Sequence, residues 1–187
     1  MSVILAASVP AQARDRRNIR QIRRNRGGVM TSIPDQTQHR VARFLAHRSI
    51  HSLEEYARWL RFHVRYRSDP GRDRWSAPLE TIKEGGGDCE DLAFLNASAA
   101  GVLGYEAVVV IFWEGKQGHA VCIIRDGDRY VWFNNTRFQK TVFRSAGRLI
   151  RHLSKHFNLS KTHVFPEGAQ PWQKSRPDVP DGILVSS

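Results

Sequence analysis

The chain is predicted to fold as an α+β domain, with N-terminal helices packed on an antiparallel β-sheet, and three observations carry that prediction. Apolar side chains recur at helical spacing up to residue 104, residues 108–134 hold three strand-like runs, and an Asp-Gly pair joins the last two of these runs. With 187 residues there is length for one domain of ordinary size, enough to bury a real core.

Taken in order, Pro34 to Arg48 reads as a helix. Ser52-Leu53-Glu54-Glu55 is a capping box opening a second helix through Tyr66. Leu53, Tyr56, Ala57, Leu60 and Val64 form its core stripe, which leaves Trp59 and Arg61 on the surface. A third helix starts at Cys89, carries Leu92, Leu95, Ala99, Val102 and Leu103 inward, and stops at Gly104. The strands follow as 108–113, 119–125 and 129–134, and Ser145 to Phe157 returns to helix with Leu149, Ile150, Leu153 and Phe157 on one face. From Pro166 four prolines fall within 15 residues without apolar rhythm, so 166–187 is expected to be an irregular tail and 29–165 the folded domain.

Residues 1–28 stand apart as a basic arm or the remnant of a secretion signal. Val3 to Val9 is a short apolar run and Ala11-Gln12-Ala13 fits a signal-peptidase cleavage pattern, although no basic segment precedes them. A clipped signal would place the protein in the periplasm or outside the cell. Seven of the chain's 29 basic residues but only one of its 18 acidic residues lie in this segment, so without it the net charge drops from +11 to +5. The arginine-rich arm is thus the expected contact for an anionic partner, and nucleic-acid binding cannot be argued from the domain itself. No run of about 18 apolar residues is present, so no membrane span is expected.

The chemistry concentrates at Gly86-Gly87-Asp88-Cys89-Glu90-Asp91 and at Gly118-His119-Ala120-Val121. Cys89 lies in the first turn of a helix, where free N–H groups and the dipole favour a thiolate, so a pKa below the usual value of about 8.5 is expected. Asp88 suits the N-cap. Cys122, inside an apolar strand, reads as a small buried hydrophobe. Two cysteines make neither a disulfide framework nor a zinc pattern. His152 and His156 are four apart on a helix but have no companion carboxylate or thiol nearby in the sequence, and the other histidines lie mostly among arginines.

If Asp126-Gly127 is a two-residue hairpin loop, Arg125 pairs with Asp128 and His119 lies directly opposite Asn134. An Asn oxygen there accepts Nδ1–H and leaves Nε2 to take the Cys89 proton, a Cys-His-Asn triad. A slip to Gly127-Asp128 as the loop would put Thr136 opposite His119 instead.

With these residues the chain resembles the transglutaminase-like superfamily, and within it the bacterial transglutaminase-like cysteine peptidases. The resemblance runs over Tyr66-Arg67-Ser68-Asp69, Trp75 to Thr81, Gly87 to Ala93, His119-Ala120-Val121 and Phe133-Asn134-Asn135-Thr136. It implies a papain-like, transglutaminase-like fold and a thiol-dependent acyl-transfer enzyme, a cysteine peptidase or amidase acting on protein or peptide substrates, with Cys89, His119 and Asn134 catalytic. Asn134 stands where that family has Asp, which weakens imidazolium stabilisation and leaves a non-catalytic binding module as the alternative. The resemblance places Trp75 near the active-site cleft, where it either walls the substrate groove or caps the core. It also implies Asp88 and Glu90, with Asp91, as calcium ligands, although no cofactor is required for the thiol chemistry itself and helix capping and dipole pairing by acids in the first turn are the alternative.

Overall fold

The computed structural model describes residues 36–69, 74–165, 168 and 184–185. The expected arm at 1–28 lies outside the described residues, as does most of the 166–187 tail. The architecture is α+β: helices on both faces of an antiparallel sheet.

Helix α1 (Gln36–His47) buries Val41 and Leu45, and α2 (Leu53–His63) buries Leu53, Tyr56 and Leu60. Ser52 Oγ accepts the Glu55 N–H at 3.2 Å as the capping box requires, but the Glu55 carboxylate reaches back one residue further than expected, to the His51 N–H at 2.7 Å. The helix ends at His63 rather than running through Tyr66. Val64 turns to extended backbone, and strand β1 (Arg65–Tyr66) pairs in parallel with β2 (Gly86–Gly87), a distant partner that outcompetes one more helical turn. Trp59 is also less exposed than predicted, because its ring packs edge-on to Phe44 at 4.9 Å and against Tyr56.

Helix α3 (Pro78–Glu84) starts on Pro78, whose missing N–H costs nothing in a first turn, and Glu80 accepts the Ala77 N–H at 3.2 Å. It stops at Gly85, whose φ of 67° favours glycine. Helix α4 (Cys89–Val102) buries nearly every side chain of its first two turns, because it is wedged between the other helices and the sheet.

The sheet is formed by β3 (Glu106–Glu114), β4 (Gln117–Asp126), β5 (Arg129–Asn134), β6 (Arg137–Phe143) and β7 (Lys161–Phe165), in the order β6-β5-β4-β3-β7. Strand β8 (Leu184–Val185) lies parallel to β4 at Gln117 and Gly118, so the tail is not wholly irregular. Ala107, Val109, Ile111, Ala120, Cys122 and Phe133 face α4, whereas Val110, Phe112, Val121, Ile123 and Trp132 face α5 (Ala146–Phe157). Strands β6 and β7 are edge strands, largely exposed, and their weak apolar alternation hid them in the sequence.

The hairpin register differs from the favoured expectation. Asp126 pairs with Arg129 and Val121 with Asn134, so Gly127-Asp128 is the loop and Gly127 takes φ 65°. Asn134 therefore lies two residues along from His119's direct partner position, on the same face. A slip of two keeps the parity that a slip of one would destroy. Among the described residues no helix is long and apolar enough to cross a membrane.

Candidate active site

Two glycines of β2 lead the chain into Asp88, the N-cap, and then into Cys89. Asp88 holds the cap position with extended backbone but makes no side-chain cap bond. The Cys89 thiol is fully buried beside Ala93, Phe94, Ile111 and Ala120. Its Sγ accepts the Ala120 N–H at 3.0 Å and donates to Glu90 Oε2 at 3.3 Å. Beyond Asn134, β5 no longer pairs with β4, and the sulfur reaches the β4 backbone there.

These surroundings reverse the expected acidity. Burial pushes the thiol well above its ordinary value, the Glu90 charge adds to that, and the Ala120 amide opposes it only in part. A helix N-terminus lowers a thiol pKa when water and cations share the site; here the first turn is dry and carries acids. Cys122 is a free, buried thiol in β4, as expected, and its pKa is likewise raised by burial.

His119 begins the β4 segment beside the thiol, one residue before Ala120. Its ring packs edge-on to Phe157 at 4.5 Å, on the α5 face, whereas Cys89 packs on the α4 face. The hydrogen bonds of the thiol go to Ala120 and Glu90, and none joins it to the imidazole. Asn134 Oδ1 lies 2.8 Å from His119 Nε2, which makes Nε2 the protonated nitrogen and leaves Nδ1 as the basic one. Sequence register suggested the opposite tautomer. With Asn134 diagonal rather than directly opposite, only the far nitrogen of the ring reaches it. Burial lowers the His119 pKa, the Asn134 bond counters this, and His156 lowers it further.

Trp75 is half-buried and packs tilted against Phe94 at 5.7 Å and edge-on to Phe165 at 5.6 Å, in the apolar cluster that holds Cys89. Asp88, Glu90 and Asp91 are 4%, 2% and 2% exposed. Asp91 Oδ1 accepts the Ser76 N–H at 2.6 Å and so ties the Trp75 loop to α4. Among the described residues no three His, Cys, Asp or Glu side chains are grouped to hold a metal ion. Glu90 turns one oxygen to the thiol and Asp91 one to Ser76, whereas a calcium shell takes six to eight oxygens. Helix-terminal acids need no metal to be stabilised by the dipole.

Two positions that support the candidate site escaped the sequence. Asn96, fully buried on α4, accepts Tyr56 OH at 2.8 Å and donates to the Asn135 carbonyl at 2.9 Å. It thereby fixes the β5–β6 turn, in which Asn135 has φ 51°, and with it the residue that orients His119. A polar residue at a core position of α4 was the available signal. Asn96→Ala is expected to cost about 2–3 kcal/mol, since a buried hydroxyl and carbonyl both lose a partner, and urea unfolding measures it. The second is Phe157, which reads as core but also walls the imidazole.

Asp91 carries a pH dependence. Its pKa is raised from 3.8 to about 7, first by burial, against the opposing Ser76 bond. The folded chain holds a proton there that the unfolded chain releases, so this contribution is complete below pH 3.8 and is lost as pH rises through 7. Asp91→Asn, which keeps the acceptor oxygen, is expected to stabilise at pH 8 by about 1–3 kcal/mol and to make little difference at pH 4. Urea midpoints at the two pH values check it.

No protein-family model matches the chain, and no curated protein sequence does. The structure is similar to a candidate cysteine protease from Cytophaga hutchinsonii, with TM-score 0.43 and 18% identity, over 71% of this chain and 46% of that one. It is also similar to calcium-bound LapG of Legionella pneumophila, with TM-score 0.41 and 17% identity, over 71% of this chain and 77% of that one. The EGTA-treated form of LapG gives TM-score 0.34 at 19% identity, over 60% and 56% of the two chains. The chain thus spans less than half of the first of these proteins.

Proposed function

We propose that the protein is a thiol-dependent acyl-transfer enzyme of the transglutaminase-like type, a cysteine peptidase or amidase using Cys89, His119 and Asn134. The observation that carries this reading is the Asn134–His119 bond, because it leaves Nδ1 basic one residue from the amide that contacts the Cys89 sulfur. In the reaction the His119 ring turns from Phe157 toward the thiol, and the Cys89 Sγ leaves Glu90, gives its proton to His119 Nδ1 and attacks the substrate carbonyl. The imidazolium then protonates the leaving amine, and water, deprotonated by the same nitrogen, hydrolyses the thioester. The Cys89 backbone N–H, at the start of α4, is the group assigned to stabilise the oxyanion. Asn134 keeps the tautomer without adding charge.

A second reading, a non-catalytic binding module, is favoured by the complete burial of the thiol and its bond to Glu90. Incubating the full chain with a library of unmodified peptides and sequencing the new termini separates the two. Cleavage lost in both Cys89→Ala and His119→Ala is the expected result; termini identical in the wild type and Cys89→Ala support the binding module.

A further inference from the structure

Away from the thiol, a groove of about 780 Å³ runs between the exposed face of α2 and the edge strand β6. One wall presents Arg58, Arg61 and Phe62, and the other presents Arg137 and Lys140. Glu54 is the one acid that lines it. Among the described residues the ion pairs are Arg74–Glu80, Arg125–Glu106 and Arg129–Asp126, so none of the four groove cations is neutralised by one. Phe62 is 72% exposed, a large ring left in water on that wall.

The β6 wall is made of consecutive residues, 137 to 140, of which 137 to 139 pair in register with β5 before an irregularity. The groove therefore follows the strand along its edge. Among the described residues strand β6 is last in the sheet order, with β5 on one side only, so no described strand pairs with its outer backbone N–H and C=O groups. A row of unpaired backbone groups, a ring and four cations make a different demand from a cationic patch alone. The backbone row selects an extended polypeptide, the charges select acidic side chains on it, and Phe62 offers an apolar contact.

We propose that this groove is a docking site for an extended acidic polypeptide segment, which adds to the sheet as a strand beside β6. The groove ends at Thr136, two residues beyond Asn134, so a bound segment has one end at the turn that Asn96 clamps. The site needs no catalysis and does not depend on the reading of Cys89. A nucleic acid would satisfy the cations but leave the strand edge unpaired.

The test uses the full chain and a fluorescein-labelled twelve-residue peptide of alternating Glu and Val, read by anisotropy at 150 mM salt. The double variant R58E/R61E is expected to weaken binding at least tenfold and Phe62→Ala about threefold, while R43E/R48E, on another face of the chain, leaves it within twofold. Methylating alternate backbone nitrogens of the peptide is expected to weaken binding at least fivefold, since it blocks strand pairing without changing charge. All these substitutions are at exposed positions, and unchanged circular dichroism excludes misfolding. Equal binding of the wild type and R58E/R61E overturns the proposal, as does indifference to backbone methylation. An RNA oligonucleotide of equal charge that binds more tightly than the peptide and loses as much in R58E/R61E also overturns it, in favour of a nucleic-acid site. Because Cys89→Ala is expected to bind the peptide like the wild type, failure of the enzymatic reading leaves this result untouched.

Discussion

Iodoacetamide is expected to label Cys89 slowly at pH 7, with a rate still climbing beyond pH 9 rather than levelling off near neutrality. The thiol is held well above its ordinary value by burial and by Glu90, so under about 1% is thiolate at pH 7. The His119 pKa, meanwhile, is lowered by burial. Both shifts favour a neutral thiol and a neutral imidazole over a standing ion pair, so the base acts when substrate arrives. Two consequences separate this arrangement from a preformed thiolate. His119→Ala is expected to leave the alkylation curve nearly unchanged while lowering peptide turnover by roughly 10²–10⁴-fold, the usual yield of a general base. Glu90→Gln, which removes a neighbouring charge that raises the thiol pKa, is expected to speed alkylation at pH 7. Turnover is expected to hold until pH falls below the ordinary imidazole value of 6.5, where protonation of Nδ1 removes the base. An alkylation rate that plateaus below pH 8 and is lost with His119 contradicts the neutral pair.

Gly86→Ala is expected to be strongly destabilising. An added Cβ would lie 2.4 Å from the Arg65 carbonyl oxygen, backbone held by the β1–β2 pairing, and 3.1 Å from the Arg67 side chain. At Gly87 the added atom would meet the Asp91 carboxylate at 2.5 Å and its Cβ at 2.6 Å. Neither site has a flexible tip that can swing away cheaply. Each substitution is expected to cost about 2–4 kcal/mol, the scale of overpacking a tight interior. Gly147→Ala is the control, because its nearest neighbour is a side-chain nitrogen at 3.7 Å and its helix gains from alanine; a change between zero and about 1 kcal/mol of stabilisation is expected there. Thermal melts of the three variants test the contrast. The same two glycines bring the chain into Cys89, so Gly87→Ala is further expected to displace Asp91 from Ser76 and loosen the Trp75 loop.

Helices α1, α2, α4 and α5 and strands β3, β4 and β5 were legible in the sequence because each carries its own apolar rhythm or cap. Ser52 and Ser145 both cap as their spacing requires. Helix α3 escaped because its 7 residues are too few to carry an apolar rhythm, although Pro78 at its start was a signal. The short β1 and β2 escaped because two-residue strands have no rhythm to read.

At the candidate site, the sequence by itself determined which residues stand at the start of α4, at the head of β4 and at the end of β5, since turn chemistry and periodicity are local. It also fixed that His119 and Asn134 share a face, because alternation survives a slip of two. Only the tertiary structure decided the rest: which ring nitrogen Asn134 engages, that the thiol is bonded to Glu90 and Ala120, and that three acids are buried beside it. Tautomer and acidity follow from reach and from the exclusion of water, and both are set by segments distant in the chain that no local pattern encodes.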